Sequence, residues 1–480
     1  MKQSRLPLYY KSIDWDALFA ETPPPDVWYE TMFLAWSADQ LRAYQDHHFR
    51  KVVAVAWENA FYNRRWRDAG LEPGDINSLD DLEKIPTFDS EDLKNSIEAH
   101  PPFGDFPGIV QAEFQHSAPL KLQTSGGTTG LPRPTLYGPR EWEYNALQLA
   151  KSMYAQGVRP GDVMQIPVTL SLANMGWGYY KACHDYLGVL PITTGTGLVT
   201  PSRRQLQLAE RYGVNSWVSF PEYMTQLAKV MQDEFGRDVR ELKTKYISTY
   251  LGTDIDNGLR RYVEDLWGCD AYDNYGVHDA GSLAFEGEEK DGLYLIEDSS
   301  FIEFLDVDTN KPVDSGTAGN ICVTSLHRTV MPLIRYNLRD LGRVKYESGT
   351  SALGSSYRRM DKFLGRSDQM VKIRGVNIYP MACLAAVRSD DRSTGEWICI
   401  ATRHSSQGVL RDEMTVRIEI KNDGRSRDGL LEHYGRRLQT DLGIKINVEL
   451  VDEGNLPETN VGKEGKPQRL IDKRKAMVEG

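Results

Sequence analysis

The sequence predicts an α/β fold: a large N-terminal domain with mainly parallel sheets and an antiparallel, barrel-like part, then a small mobile α+β domain. Strand-like and helix-like segments alternate from about residue 121, which is typical of a parallel sheet covered by helices. Between 287 and 346, short turns join strand-like segments, which favours antiparallel pairing. The chain is slightly basic from about residue 365 and strongly acidic before it. These observations predict two domains, 1–364 and 365–480.

Taken in order, the first predicted elements are helices over residues 27–69, since apolar and aromatic side chains recur there near helical spacing; they are Leu41, Tyr44, His48, Val52 and Trp57. The run GLEPGD at 70–75 ends this pattern, and Ser78 begins a short helix. Apolar runs near 163, 189, 214 and 244 predict strands, with amphipathic helices between them. Two more strands, near 397 and 414, precede a helix near Leu430.

The composition is that of an ordinary globular protein. Of the 480 residues, 40% are hydrophobic and 26% are charged, which excludes intrinsic disorder. The net charge of −11 argues against electrostatic binding of nucleic acid or anionic membranes. The cysteines lie far apart without a C-x-x-C pair, which excludes a disulfide framework and fits a reducing compartment; they are Cys183, Cys269, Cys322, Cys383 and Cys399.

The N-terminal segment has no apolar run of seven residues, so we expect no secretory signal. A long uncharged run at 163–180 contains Gln165, Pro167 and Asn174 and is too polar for a membrane span. We therefore expect a cytoplasmic protein.

A glycine-rich run follows a strand-like segment at 121–123. It consists of Thr124, Ser125, Gly126, Gly127, Thr128, Thr129 and Gly130. Glycines let backbone N–H groups curl around an anion and hydroxyls add donors, so a triphosphate suits this loop. No G-K-[ST] follows, so it is not a Walker loop. Taken alone, the run is interpreted equally well as a flexible turn.

A second motif, YDNYGVHDAG at 272–281, combines an aromatic–glycine turn with a carboxylate. Tyr275 is placed to stack on an adenine ring, and Asp279, four residues later, to bind a magnesium ion. The alternative is that Asp279 caps a loop between a strand and a helix. His278 has no second histidine at ligand spacing, so we do not expect it to bind a metal.

Three weaker segments follow, and each has a plain alternative. In RYNLRDLGRV, at 335–344, Asp340 either holds the hydroxyls of a ribose or forms a surface ion pair with its flanking arginines. GRSDQMVKIRGVNIYP, at 365–380, suits a hinge that changes its backbone angles, or an ordinary linker. In NVGKEGKPQRLIDKR, at 460–474, a lysine beside a glycine either brings positive charge to a phosphate or belongs to a basic tail.

In this order, the five segments resemble the motifs of the adenylate-forming superfamily of acyl-CoA synthetases, peptide-synthetase adenylation domains and luciferases. The sequence is most similar to the phenylacetate–coenzyme A ligase branch in residues 62–93, in the hinge-like segment at 365–380 and in EGKPQRLIDKR at 464–474. The resemblance runs over almost the whole chain from about Leu41. It implies activation of a carboxylic acid by ATP to an acyl-adenylate, with release of pyrophosphate, and transfer to a thiol, with coenzyme A (CoA) favoured.

The resemblance also implies a role for each matching residue. The run at 124–130 would wrap the β- and γ-phosphates. The remaining ATP-binding residues would be Gly252, Thr253, Asp254, Tyr275 and Gly276 at the adenine, and Asp340 and Arg366 at the ribose. Asp279 would hold Mg²⁺ and Asp368 would be the hinge. Lys466 would be the catalytic lysine, favoured over Lys463 by its spacing to Arg469.

The sequence departs from this family at three places. Asp279 is one methylene shorter than the usual glutamate. Many relatives have a Glu-Cys pair followed by Gly-Leu-His, a pattern associated with zinc in some members, whereas this chain has Glu286-Gly287 and a later Tyr294. We therefore expect no zinc. The basic residue that often follows the glycine-rich loop is Arg133 here.

The resemblance places the acyl pocket near 163–223, at Trp177, Tyr180, His184, Gly195, Thr196, Gly197 and Phe220. Aromatic walls favour a small aryl or flat cyclic acid, although the same residues would also suit the core of the sheet. A carrier-protein thiol or an amine is the alternative acceptor, which would make the protein an amide-forming ligase or a stand-alone adenylation enzyme. A silent nucleotide-binding protein is a further alternative, and a homodimer is left open.

Overall fold

The computed structural model describes residues 6–108, 119–125, 133–254, 257–351, 353–367, 371–373, 376–406, 409–456 and 469–474. The chain divides into two structural units. The second unit comprises residues 339–341 and those after 363, and the first comprises the other residues of these ranges. No helix in these ranges is long and apolar enough to cross a bilayer.

The first unit begins with six helices: α1 (Leu8–Lys11), α2 (Trp15–Glu21), α3 (Pro25–Trp28), α4 (Ala38–Glu58), α5 (Ala60–Asp68) and α6 (Ser90–Ala99). Ser37 and Gln40 form a capping box that begins α4, and the Asn59 side chain accepts the Phe61 N–H at the start of α5. Ser78 caps a 3₁₀ helix (Leu79–Lys84). The predicted helices over 27–69 and after Ser78 are confirmed.

A hairpin and a nine-stranded sheet follow. The hairpin is β1 (Lys121–Thr124) and β2 (Pro134–Tyr137). The parallel strands of the sheet are β3 (Val163–Gln165), β4 (Leu190–Ile192), β5 (Ser216–Val218), β6 (Tyr246–Thr249) and β7 (Asp270–Val277). Their spatial order is β7-β6-β5-β3-β4, so the predicted parallel sheet is confirmed.

Helices cover both faces of these strands: α7 (Pro139–Ala155), α8 (Asn174–Lys181), α9 (Ser202–Tyr212), α10 (Pro221–Phe235) and α11 (Gly258–Trp267). One face buries Met153 of α7 and Tyr179 of α8. The other buries Trp217 of β5 against Trp267 of α11, with ring centroids 5.3 Å apart. We therefore expect polar side chains at the carboxyl ends of the parallel strands, where open α/β sheets usually bind their ligands.

Antiparallel strands complete the first unit: β8 (Gly281–Glu286), β9 (Leu293–Leu295), β10 (Ser300–Leu305), β11 (Gly319–Ser325), β12 (Tyr336–Gly342, which enters the second unit), β13 (Val344–Tyr346) and β14 (Arg359–Met360). β7 pairs antiparallel with β8, and β10 with β11 over six residue pairs. The antiparallel prediction for 287–346 is confirmed, and the strands described there form no closed barrel.

In the second unit, residues 340 and 341 of β12 pair antiparallel with β15 (Gly365–Arg366). The following elements are β16 (Val371–Ile373), β17 (Val376–Ile378), α12 (Leu384–Val387), β18 (Ser393–Ser406), β19 (Val409–Ile420), α13 (Leu430–Leu442), β20 (Asn447–Asp452) and β21 (Leu470–Asp472). A sheet of order β20-β19-β18-β21 packs Trp397 against Tyr434 and Leu438 of α13. The predicted α+β character of this unit is confirmed.

Candidate active site

The β1–β2 hairpin holds the two ends of the glycine-rich segment together. The Ser125 N–H donates to the Arg133 carbonyl at 3.0 Å, and the Arg133 N–H donates to the Ser125 hydroxyl at 3.2 Å. The segment 126–132 between them lies outside the described residues. The phosphate contacts assigned to Gly126, Gly127, Thr128, Thr129 and Gly130 therefore stay predictions.

Asp279 lies in the turn between the antiparallel strands β7 and β8, so the alternative of a loop leading into a helix is wrong. Its Oδ2 accepts bonds from Nη2 of Arg133 at 2.7 Å and the Tyr336 hydroxyl at 2.9 Å, and its Oδ1 lies 3.4 Å from the Thr135 hydroxyl. Burial alone would raise the pKa of Asp279, but Arg133 outweighs it and keeps the pKa below its usual range. The glycine-rich hairpin and the β7–β8 turn thus meet at one ion pair.

A buried guanidinium lies beside Asp279. Arg328 is buried, donates to the Asp279 carbonyl and lies 5.1 Å above the Tyr137 ring. His278 is partly buried, and burial lowers its pKa, which leaves it neutral at pH 7. In the described part of the chain, Nε of Arg328 and Nε2 of His278 have no hydrogen-bond partner. The unused Nε–H of the buried guanidinium suits an anion, for instance a phosphate.

The residues around Asp279 also fit a magnesium ion that arrives with a nucleotide. Mg²⁺ prefers oxygen ligands and is usually held by one or two carboxylates together with substrate phosphates. Oδ2 of Asp279 is occupied by Arg133 and Tyr336, whereas Oδ1 makes only the long contact to Thr135 among the described residues. Oδ1 is therefore the oxygen available to the ion.

The segment that follows β6 is fixed by a buried carboxylate. Oδ1 of Asp273 accepts the Leu251 N–H at 2.8 Å, and Gly252 has a φ of 64°, in the left-handed region that favours glycine. The Asp254 carboxylate accepts the N–H groups of Leu259 and Arg260 in the first turn of α11. Asp254 therefore orders this segment through its side chain; its place beside the adenine, with Gly252 and Thr253, stays a prediction.

Tyr275 lies in β7, next to Gly276. Its ring is buried and stacks on Phe363, with the centroids 5.9 Å apart and the planes 19° from parallel. A hypothetical Cβ on Gly276 would lie 2.6 Å from the Gly281 carbonyl, so glycine is needed where β7 approaches β8. The roles of both residues at the adenine stay predictions.

Asp273 leads to a prediction about pH. Burial raises its pKa to about 7, against the opposing effect of the Leu251 N–H, while Glu286 raises it further and Lys362 and Arg260 lower it. The folded protein therefore retains a proton that the unfolded chain loses near pH 4, so stability falls as pH rises from about 4 to 7.

For Asp273→Asn we expect the fall in the free energy of unfolding between about pH 4 and 7 to be smaller than in the wild type, by up to about 4 kcal/mol. Thermal unfolding of both proteins between pH 4 and 8 measures the difference. Parallel curves for the two proteins would contradict the assignment.

In the second unit, Asp340 and Arg366 face each other across β12 and β15. Nη1 of Arg366 lies 3.1 Å from Oδ1 of Asp340, whose side chain is 3% exposed. An ion pair is present, but its carboxylate is buried, so the alternative of a surface pair with the flanking arginines is wrong. The binding of ribose stays a prediction, and Asp368 and Lys466 lie outside the described residues.

The residues assigned to the acyl pocket lie mostly at the surface. Trp177, Tyr180 and Phe220 are 38%, 36% and 44% exposed. His184 stacks on Tyr180 with centroids 5.6 Å apart, and its Nδ1 lies 2.6 Å from a carboxylate oxygen of Asp185.

The 195–197 segment is closely packed. A hypothetical Cβ on Gly197 would lie 3.0 Å from the Tyr223 hydroxyl. Gly195 has a φ of 67°, and Thr196 accepts the Val199 N–H through its carbonyl. That these residues line one pocket with Trp177 and Phe220 stays a prediction.

Sequence reasoning missed a group of polar residues where β5 and β6 end. The hydroxyls of Tyr179 and Tyr250 lie 3.1 Å apart. The Ser219 and Thr249 hydroxyls are buried and have no hydrogen-bond partner among the described residues. The signal was present: Ser219, Thr249 and Tyr250 are hydroxyl residues that end or directly follow two apolar strands, where a site is expected.

Lys121 was also missed. Its Nζ lies 4.4 Å from the centroid of the Trp142 ring and 5.1 Å from that of Trp177. Two cation–π contacts thus fix the start of β1, directly before the glycine-rich segment.

Comparison with known proteins agrees with this arrangement. A family model described as the AMP-binding enzyme C-terminal domain matches residues 375–474. The chain is 28% identical over 459 residues to a phenylacetate-coenzyme A ligase of Thermus thermophilus, covering 91% of this chain and 97% of that protein. It is 29% identical over 448 residues to the Pseudomonas putida ligase of the same name, covering 92% and 96%.

A similar solved structure is that of a 2-hydroxyisobutyryl-CoA ligase in its postadenylation state, in complex with 2-HIB-AMP. The TM-score is 0.76 and the identity 27%, over 93% of this chain and 92% of the other. Similarity to both ligases and to this structure extends over nearly the full length of each protein, so it includes both units.

Proposed function

The chain belongs to the adenylate-forming superfamily, on its phenylacetate–coenzyme A ligase branch, and we propose that it is an AMP-forming acid–CoA ligase. The observation that carries this proposal is the 2.7 Å ion pair between Arg133 and Asp279. It brings two motifs that are 146 residues apart, the glycine-rich hairpin and the Tyr275–Asp279 segment, to one place.

In the first half-reaction, a carboxylate oxygen of the acid attacks the α-phosphorus of ATP, and the bond to pyrophosphate breaks. The product is a mixed anhydride, the acyl-adenylate. In the second, the CoA thiol gives up its proton to solvent, its sulfur attacks the acyl carbon, and AMP leaves with the electron pair of the broken C–O bond. In the first half-reaction the attacking carboxylate and the phosphate oxygens are both negatively charged, so the protein must offset negative charge there.

The residues of this chain are suited to that task. Arg328 presents a buried donor beside Asp279, and Lys466 would deliver a positive charge to the α-phosphate. A magnesium ion bound with ATP would be held by Asp279 and would offset the charge of the phosphates. Asp340 and Arg366 would bind the ribose, and Asp368 would be the hinge on which the second unit turns between the half-reactions.

The acid is proposed to be a small aryl or flat cyclic one. The support is the aromatic character of the segment at 177–186 and of Phe220, together with the Tyr179–Tyr250 contact at the end of the sheet. The reaction is proposed to take place in the cytoplasm.

Pyrophosphate exchange tests the proposal. We expect the purified protein to incorporate labelled pyrophosphate into ATP with an aryl acid present, and to release AMP and form a thioester when CoA is added. A panel of aryl, cyclic and short alkyl acids identifies the substrate in the same assay.

Each other outcome of this assay has a defined meaning. Exchange without CoA thioester, but with an acylated carrier protein or amide, would make the protein a stand-alone adenylation enzyme or an amide-forming ligase. Absence of exchange with every acid, in a protein that binds ATP, would contradict the proposal.

A further inference from the structure

Three side chains from distant parts of the chain meet beside α4. Glu21 is the last residue of α2, His48 lies in α4, and His327 follows β11. One ring nitrogen of each histidine and one carboxylate oxygen of Glu21 lie within 4.8 Å of one another. His48 and His327 are 2% and 4% exposed, whereas the Glu21 side chain is 26% exposed. We propose that this cluster is a binding site for a transition-metal ion, with Zn²⁺ as the best match.

The hydrogen bonding of His327 is that of a metal ligand. Its Nε2 lies 2.8 Å from the Asp298 carbonyl, which can only accept, so Nε2 carries the proton and Nδ1 carries the lone pair. Nδ1 is buried and has no hydrogen-bond partner in the described ranges. Histidines that bind metals usually donate their second N–H to a carbonyl or carboxylate in this way. A bound cation would remove the cost of a buried lone pair without a partner.

Several charged groups face the cluster. Glu21 accepts bonds from Lys51, at 3.0 Å, and from Arg140. Lys151 is paired with Asp298. Lys51 and Arg140 weaken the attraction of this site for a metal ion. Each Glu21 oxygen uses one lone pair for its bond to Lys51 or Arg140, however, and keeps a second lone pair for a metal ion.

The ligand types favour a transition-metal ion over Mg²⁺ and Ca²⁺. Two imidazoles and one carboxylate with an open fourth position are typical of Zn²⁺, whereas Mg²⁺ and Ca²⁺ prefer oxygen ligands alone. This proposal departs from the expectation of no zinc, which was drawn from the segment 286–294 alone. The ion would join α2, α4 and the residue before Arg328, which donates to the Asp279 carbonyl.

Metal binding by the full-length protein tests the proposal. Chelator-treated protein is dialysed against Zn²⁺ or Co²⁺, and bound metal is measured by mass spectrometry and by the visible absorption of Co²⁺. We expect one ion per chain, a higher Tm with Zn²⁺, and at least a tenfold loss of affinity in His48→Gln.

The matched control is His47→Gln, which alters the exposed neighbour on the same helix and should bind metal as the wild type does. If His48→Gln misfolds, the partly exposed Glu21→Gln takes its place with the same expected loss. Failure of the wild type to retain an ion, or equal retention in the His47 variant and in the His48 or Glu21 variant, overturns the proposal.

Discussion

Replacing Lys466 by alanine is expected to lower the rate of acyl-adenylate formation by about 10²–10³-fold. Negative charge gathers on the oxygens of the α-phosphate as the carboxylate attacks, and a preorganised positive donor at that point stabilises the transition state more than the ground state. The second half-reaction has no such need, so thioester formation from supplied acyl-adenylate and CoA should change little. Pyrophosphate exchange measures the first step, and thioester formation from synthetic adenylate the second.

The chain offers a matched control for this experiment. Lys463 also follows a glycine, three residues earlier, and Lys463→Ala should leave adenylate formation within about twofold of the wild type. Equal losses of the two half-reactions in Lys466→Ala would assign it a role in folding or in binding common to both steps. A large loss in Lys463→Ala alone would move the catalytic role to that residue.

Much of the fold could be predicted because the local signals agree with the tertiary structure. The runs that became β3, β5 and β6 are short, apolar and separated by amphipathic helices, so both their type and their parallel direction followed from the sequence. Their order in the sheet comes from the structure. The turn at Asp279 was harder to predict. Its alternative assumed that a helix follows, whereas Leu283 and Phe285 continue as the buried strand β8, paired with β7.

The contacts of the site are of a different kind, since they join residues that are distant in the chain. Arg133 was noted only as the basic residue after the glycine-rich loop, yet it fixes the charge of Asp279. Tyr336 lies in the segment 335–344 but was given no role there, and Arg328 lies outside every motif. His48 was interpreted as one side chain of a helix face, and its neighbour His327 is 279 positions further on. Spacing within one segment cannot reveal such pairs.

Replacing Asp279 by asparagine is expected to lower kcat/KM for adenylate formation by about 10²-fold. The change keeps the shape of the side chain but removes its charge and one of its two oxygens. Since Arg133 and Tyr336 both donate, the remaining oxygen is expected to face them, which leaves the NH₂ group where Mg²⁺ is proposed to bind. Loss of the negative charge that faces Arg133 should also destabilise the protein by about 2–3 kcal/mol, less than for a fully buried pair because the Arg133 side chain is 21% exposed. Tyr336→Phe, which removes one hydrogen bond to the same carboxylate, is the milder control.

The dependence of the rate on Mg²⁺ separates the two roles of Asp279. If Asp279 holds the ion, the Mg²⁺ concentration for half-maximal exchange rises in Asp279→Asn and stays unchanged in Tyr336→Phe. Asp279→Glu introduces the glutamate that is usual at this position in the superfamily. It should retain the wild-type Mg²⁺ dependence, although its longer side chain disturbs the bond to Arg133. An unchanged Mg²⁺ dependence in Asp279→Asn, together with reduced stability, would mean that Asp279 serves only as the structural partner of Arg133. The negative charge of the phosphates would then have to be offset by the positive charges of Arg133, Arg328 and Lys466, without help from Asp279.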